Sequence, residues 1–182
     1  MNKITRIFLK AILQIVFVCI SYSTFSQGFN QEQKDSILNA YVTLPNSDIR
    51  MVPPAYFKPF LNDGKFGFMH EGAASSISIQ EIKGTPYPIV IQNMTKEYLE
   101  TQGVKFITKD NIQTKQKKDA VIYLLSFTVK SKDGSKEMEY ERIMLFTGDY
   151  NRTIWINANY PVVARKMLFT PLKESLLSVQ FD

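Results

Sequence analysis

The chain holds one histidine, His70, and it stands beside Glu71. An imidazole next to a carboxylate can move a proton or help to hold a cation. A metal centre needs three or four ligands, and no second histidine exists to supply one. The pair follows an expected strand and precedes Gly72, so a surface turn is the favoured reading. Ser75-Ser76, Ser126 and Ser135 lack the Gly-x-Ser-x-Gly elbow that exposes a nucleophile, which argues against a serine hydrolase. The single cysteine, Cys19, excludes a disulfide framework or a thiolate metal cluster. No catalytic, cofactor-binding or metal-binding residue is assigned, and the expected activity is non-enzymatic.

Two groups of residues have the chemistry of recognition instead. In Pro53-Pro54-Ala55-Tyr56-Phe57-Lys58-Pro59-Phe60, three aromatics stand among three prolines. Such a stiff loop loses little entropy on contact, a property of binding surfaces. The competing reading, which ordinary aromatic burial favours, has Tyr56, Phe57 and Phe60 covering a sheet end. The second group is Arg142 and Arg152, with Arg165, Tyr150 and Trp155. Arginine and aromatics are enriched at interfaces, although Trp155 within a strand reads as core. Tyr56, Phe57, Phe60, Arg142 and Arg152 are therefore the candidate partner-binding residues. Asn93-Met94-Thr95 and Asn151-Arg152-Thr153 match the glycosylation sequon, a short pattern discounted beside a bacterial type of leader.

That leader is residues 1–26. Lys3, Arg6 and Lys10 precede the apolar run from Ala11 to Ile20, and a polar, small-residue tail follows. These are the three parts of a secretory signal peptide, with cleavage expected after Ser26. The run is shorter than the ~20 apolar residues of a membrane span, so an uncleaved anchor is the lesser alternative. Cys19 follows Val18, where lipid attachment normally wants a small residue, so the lipoprotein reading is rejected. Removing 26 of 182 residues leaves 156, none of them cysteine, with 19 basic and 17 acidic residues. The basic character of the whole chain is thus partly the leader's, and it gives little support for a nucleic-acid partner. The densest basic stretch, Lys105, Lys109, Lys115, Lys117 and Lys118, is broken by Asp110 and Asp119 and reads as a solvated loop. The expected location is periplasmic or secreted.

The elements follow from periodicity and breakers. Residues 27–46 read as an N-terminal helical or extended segment, with a short helix capped near Asn30 and a turn at Pro45-Asn46-Ser47. From residue 47 to 182 one domain is expected. Ile49 to Val52 is a short strand ended by Pro53-Pro54. Phe66 to Met69 and Ser75 to Ile82 are strands, the second alternating with Ile77 and Ile79 on one side. After the break at Pro86-Tyr87-Pro88, Val90, Met94 and Tyr98 recur at spacing four, predicting one helix over 89–101 ended by Gly103. A short strand is expected near Phe106. Ala120 to Val129 is apolar on both faces, as a central strand should be. With Glu137 to Phe146 and Thr153 to Tyr160 it makes an antiparallel meander turning at Asp133-Gly134 and Gly148-Asp149. Leu172, Leu176, Leu177 and Val179 predict a closing helix that starts at Pro171. The class is α+β: an antiparallel sheet with a C-terminal three-strand meander and helices packed against it.

This order, with its landmark residues, resembles the PsbP-like fold. The landmarks are Met51-Val-Pro-Pro-Ala-Tyr56, Thr101-Gln-Gly103, the run Tyr140-Glu-Arg-Ile-Met-Leu-Phe-Thr-Gly-Asp149, Asn159-Tyr-Pro161 and Leu172-Lys-Glu-Ser-Leu-Leu-Ser-Val179. That fold is shared by the photosystem II extrinsic protein, bacterial DcrB-type envelope proteins and the Ran-binding Mog proteins. The resemblance spans about Ile49 to Gln180, and its landmarks shape the fold rather than carry chemistry. It implies a non-enzymatic binding, assembly or chaperone-like role. The leading expectation is a secreted or periplasmic accessory protein whose partner is an envelope protein or an apolar ligand. The alternatives are an envelope chaperone sheltering hydrophobic segments and, behind it, a cation-assisted enzyme. No cofactor, no nucleic acid and no stable membrane span after cleavage are expected.

Overall fold

The computed structural model describes residues 40–62, 65–131 and 136–182. The leader, the helix expected near Asn30, residues 63–64 and the turn expected at Asp133-Gly134 lie outside them. Among the described residues no helix is long and apolar enough to cross a membrane.

A small hairpin opens the described chain. β1 (Val42–Thr43) pairs antiparallel with β2 (Arg50–Met51) around the expected turn at Pro45 to Ser47. The main sheet begins with β3 (Lys58–Asn62), β4 (Lys65–His70) and β5 (Ser75–Lys83). Two short helices follow, α1 (Tyr87–Asn93) and α2 (Lys96–Thr101), and then the four strands β6 (Lys105–Gln113), β7 (Asp119–Lys130), β8 (Glu137–Gly148) and β9 (Arg152–Pro161). A turn of 3-10 helix over Val162–Ala164 leads into α3 (Arg165–Leu177). The seven strands lie in the order β3-β4-β5-β9-β8-β7-β6, and every neighbouring pair is antiparallel. The expected meander is thus β7-β8-β9, and the α+β class is observed.

That order dictates where the helices lie. The chain leaves β5 in the middle of the sheet and must reach β6 at the far edge, so α1 and α2 cross over β9, β8 and β7. There Val90, Met94 and Leu99 pack on Val121, Tyr123, Leu125, Phe146 and Trp155. From β9 the chain returns across the opposite face as α3, whose Leu172 and Leu176 bury against a cluster that includes Phe68, Ile77, Ile143 and Ile156. Each fully buried Leu or Ile contributes about 2 kcal/mol. The alternation of Val121, Tyr123 and Leu125 with Ala120, Ile122 and Leu124 is therefore two half-cores back to back.

Four expectations about the elements are corrected. The single helix over 89–101 is two helices, because the Thr95 hydroxyl accepts from the Tyr98 amide and caps a new start. Pro88 lies within the first turn of α1, where a missing amide costs nothing. The basic stretch is not a loop throughout: Lys105 and Lys109 stand on β6, an edge strand with an irregularity between Phe106 and Thr108. Charge and a bulge on an edge discourage pairing with another chain. Finally α3 starts at Arg165 and carries Pro171 inside it. Its apolar spacing runs back through Leu168, which packs on the core, and the Pro171 ring points to solvent. The strand β3 lies within the stretch read as a stiff loop, and Pro59 is tolerated there because β3 is an edge.

Candidate functional site

Antiparallel register gathers residues that sequence keeps far apart. One row across the α1–α2 face runs Lys58, Met69, Ser76, Asn159, Arg142. The next runs Phe60, Gly67, Ser78, Asn157, Met144. Lys65 and Gln80 point to the same side by the two-residue period. The helices cover the β6–β9 end of this face, so the part built from β3, β4 and β5, with Asn159 and Arg142, carries small polar side chains instead of a core. Phe60 lies down over Gly67. A Cβ at residue 67 would stand 2.0 Å from the Ile77 carbonyl oxygen and 2.8 Å from the Phe60 ring, so only glycine lets the two backbones approach this closely.

The electrostatics of the face are one-sided. Lys58, Lys65 and Arg142 are its charged side chains on β3, β4, β5, β9 and β8 among the described residues; Glu81, Glu137, Glu139 and Glu141 take the opposite parity. Arg142 is half-buried and donates through Nε to Asn159 Oδ1 at 2.7 Å. Its guanidinium carbon lies 4.9 Å from the Phe127 ring centre, and Phe127 stacks on Tyr140 at 5.7 Å. Burial brings its pKa down to about 10, which leaves it fully charged at neutral pH. Among the described residues no carboxylate forms an ion pair with Arg142, and neither Nη atom is a buried donor without an acceptor. Among the described residues Arg142 is therefore held by a neutral amide and an aromatic ring, with no counter-charge.

The other sequence candidates are dispersed. Phe57 is in the core on the α3 face, while Tyr56 beside it is 78% exposed with a left-handed φ of 67°. Both rings contact His70, Phe57 edge-on at 5.6 Å. His70 ends β4 and Glu71 opens a 3-10 turn, as the turn reading expected. No group of three or more His, Cys, Asp or Glu side chains suited to a metal occurs among the described residues. Arg152 is committed internally: its Nη atoms make a fork on Asp48 at 2.6 and 2.7 Å, reach Glu81 at 3.1 Å and bond the Asp182 carbonyl. Trp155 is core, with Nε1 donating to Asn157 Oδ1 at 3.0 Å, and Tyr150 is exposed on the β8–β9 turn. Of the five candidates, then, the fold brings Phe60 and Arg142 to one face, about 19 Å apart at the usual strand spacing.

Sequence reasoning missed Lys58, Lys65, Ser76, Ser78 and Asn159, while Asn157 in the same row as Ser78 is buried beneath Trp155. The signal was there in Ser76-x-Ser78-x-Gln80 and Asn157-x-Asn159, polar at every second position on strands whose other side is apolar. Such alternation marks a face with water or a partner on it.

Two further arrangements bear on chemistry. A cleft of about 400 Å³ opens between α1 and the β6–β7 hairpin, lined by Tyr87, Ile91, Asn111, Asp119 and Val121 among others. Burial and the Asp119 charge hold the Tyr87 phenol up at about 12, so it is a hydrogen-bond donor rather than a base. On the α3 face Glu141 is buried and accepts from Tyr160 Oη at 2.6 Å and Arg165 Nη1 at 2.5 Å. Burial and the neighbouring carboxylate raise the Tyr160 pKa. This trio ties the start of α3 to β8 and β9, with its acceptors and donors matched.

The architecture is shared with solved structures. No protein-family model matches the chain, and neither does any curated protein sequence. A Bacteroides thetaiotaomicron protein is similar in structure over 80% of this chain at 15% identity and a TM-score of 0.54. The chain spans about half the length of that protein, 49%. Cyanobacterial PsbP from Synechocystis matches over 79% of this chain and 92% of its own at 9% identity and a TM-score of 0.50. LpqN of Mycobacterium tuberculosis, described as involved in cell envelope biogenesis, matches over 78% and 88% at 11% identity and a TM-score of 0.51. The chain has the PsbP-like fold, as its landmark residues implied.

Proposed function

We propose that this chain is an accessory protein of the cell envelope, exported by its leader, which acts by contact with another envelope protein and turns over no substrate. The observation that carries the reading is the open part of the sheet face. It is half-buried, polar with aromatic borders, and positively charged, with an arginine that has no counter-charge among the described residues. Small ligands are bound in concave sites that enclose most of their surface, whereas a broad shallow face suits a macromolecule. Support for the envelope comes from the leader and from the shared fold of LpqN, a protein involved in envelope biogenesis.

The test is a photo-crosslinking amino acid placed at Ser78 in the full chain, with irradiation in intact cells and mass spectrometry of the products. One envelope protein captured from Ser78, and not from a control at Tyr150, is the expected result. Capture of many unrelated apolar segments would turn the reading towards a chaperone, and no capture at all would defeat it. Fractionation of the same cells adds an independent check, since a chain retained in the cytoplasm contradicts export.

A further inference from the structure

Building on the contact role proposed above, we infer that the partner seats a carboxylate on the outer fork of Arg142, presented by an acidic polypeptide segment with an aromatic or aliphatic neighbour. Three features of the face lead there. Arg142 keeps its charge in a half-buried site, and its Nε is taken by the neutral Asn159 amide rather than by an acid. A charge removed from water without a counter-charge is costly, and a partner carboxylate would restore the balance. The guanidinium plane is fixed by Asn159 on one side and by the Phe127 ring, so its two Nη atoms are held in one orientation, and a fixed guanidinium edge is the geometry a carboxylate accepts. The surroundings agree in sign and character. Lys58 and Lys65 add positive charge to the same face, its described positions bring no acid, and Phe127 offers apolar contact beside the guanidinium.

The same charges do not suit a lipid surface. Membranes are read by long cations that protrude from a convex surface together with apolar side chains that insert. Arg142 is the opposite, a recessed side chain pinned to its sheet. An extended or helical peptide can lower an acid into the face; a bilayer cannot.

The experiment pans a random heptapeptide display library on the full chain and measures the recovered peptides against three proteins: the parent, Arg142→Met and Arg142→Lys, each first shown to melt as one cooperative transition. Enriched peptides with Asp or Glu at a fixed position beside Phe, Trp or Leu are expected. Their affinity should fall by about tenfold or more in Arg142→Met, as the loss of a charge-assisted pair implies. Arg142→Lys should fall between the two, because it keeps the charge and loses the fork. If Arg142→Met melts early, Arg142→Lys and the matched Glu-to-Gln peptides carry the test. Peptides without an acid, binding indifferent to both variants, or no enrichment would overturn the inference. So would Arg142-dependent binding to phosphatidylglycerol vesicles stronger than to any recovered peptide, which would assign the face to lipid. Failure here is distinguishable from failure of the contact role: a Ser78 crosslink that survives Arg142→Met keeps the partner and removes the carboxylate.

Discussion

Tyr56 and Phe57 are adjacent in the chain, yet the fold gives them opposite environments. Phe57 is 8% exposed and belongs to the core beneath α3, whereas Tyr56 stands in water on a strained left-handed backbone. Phe57→Ala should therefore cost about 3 kcal/mol through lost burial and a cavity. Tyr56→Ala should change stability by less than about 0.5 kcal/mol, as exposed sites do. Denaturant unfolding of the two single variants separates them, and equal losses would show that the loop is held by both rings. A paired substitution would have mixed a packing residue with a surface one. The arginines teach the same lesson. Arg142 and Arg152 look alike in a sequence, but one bonds a neutral amide and meets no carboxylate among the described residues, and the other is spent on Asp48, Glu81 and the Asp182 carbonyl. No local pattern distinguishes them, because the acceptors of Arg152 come from three separate segments.

Among elements, the strands were the most legible and the edges the least. β5, β7, β8 and β9 show their alternation or two-sided apolarity plainly, since neighbouring residues alone encode it. β3 and β6 were obscured by Pro59 and by lysines, the devices that keep an edge from pairing further. The division of α1 from α2 turns on a single hydroxyl at Thr95, a detail that apolar spacing overrides. Gly67 on β4 is the element-scale control of the candidate face. Gly67→Ala drives a Cβ into the Ile77 carbonyl, and backbone cannot swing aside as a flexible side chain would. The expected loss is about 2 kcal/mol or more, with displacement of the Phe60 ring visible as shifted amide signals for residues 58–60 and 76–78. A melting midpoint equal to the parent's would mean that β3 and β4 yield easily and that Phe60 is not held in place.

At the scale of the whole molecule, the Arg152 cluster closes the structure. Asp48 from the opening hairpin accepts both from Arg152 and from the amide of Asp182 at the last residue. The Arg152 guanidinium holds the Asp48 carboxyl down at about 2, below its ordinary 3.8. A carboxyl lowered on folding adds stability that is present above the unfolded value and is lost as pH falls through the folded one. The gap in melting midpoint between the parent and Asp48→Asn should therefore be widest above pH 4 and close as the pH approaches 2. Solvent screening at this partly exposed pair keeps the contribution to no more than about 1 kcal/mol. A gap that stays constant from pH 6 to pH 2 would assign the effect to shape rather than charge.

The amino-acid sequence by itself determined the α+β class, the meander, the two-sided burial of the strand from Ala120 and the PsbP-like order of elements. All of these rest on period, propensity and breakers within a few residues of one another. The tertiary structure alone decided that β9 lies between β5 and β8, because pairing partners such as Ser76 and Asn159 are distant in the chain. From that one placement follows the path of α1 and α2 over β9, β8 and β7, and the part of the face that no described helix covers. Phe60, Gly67, Ser78 and Arg142 share that surface only because long-range hydrogen bonding sets the strand order, and nothing in short-range pattern fixes which strand pairs with which.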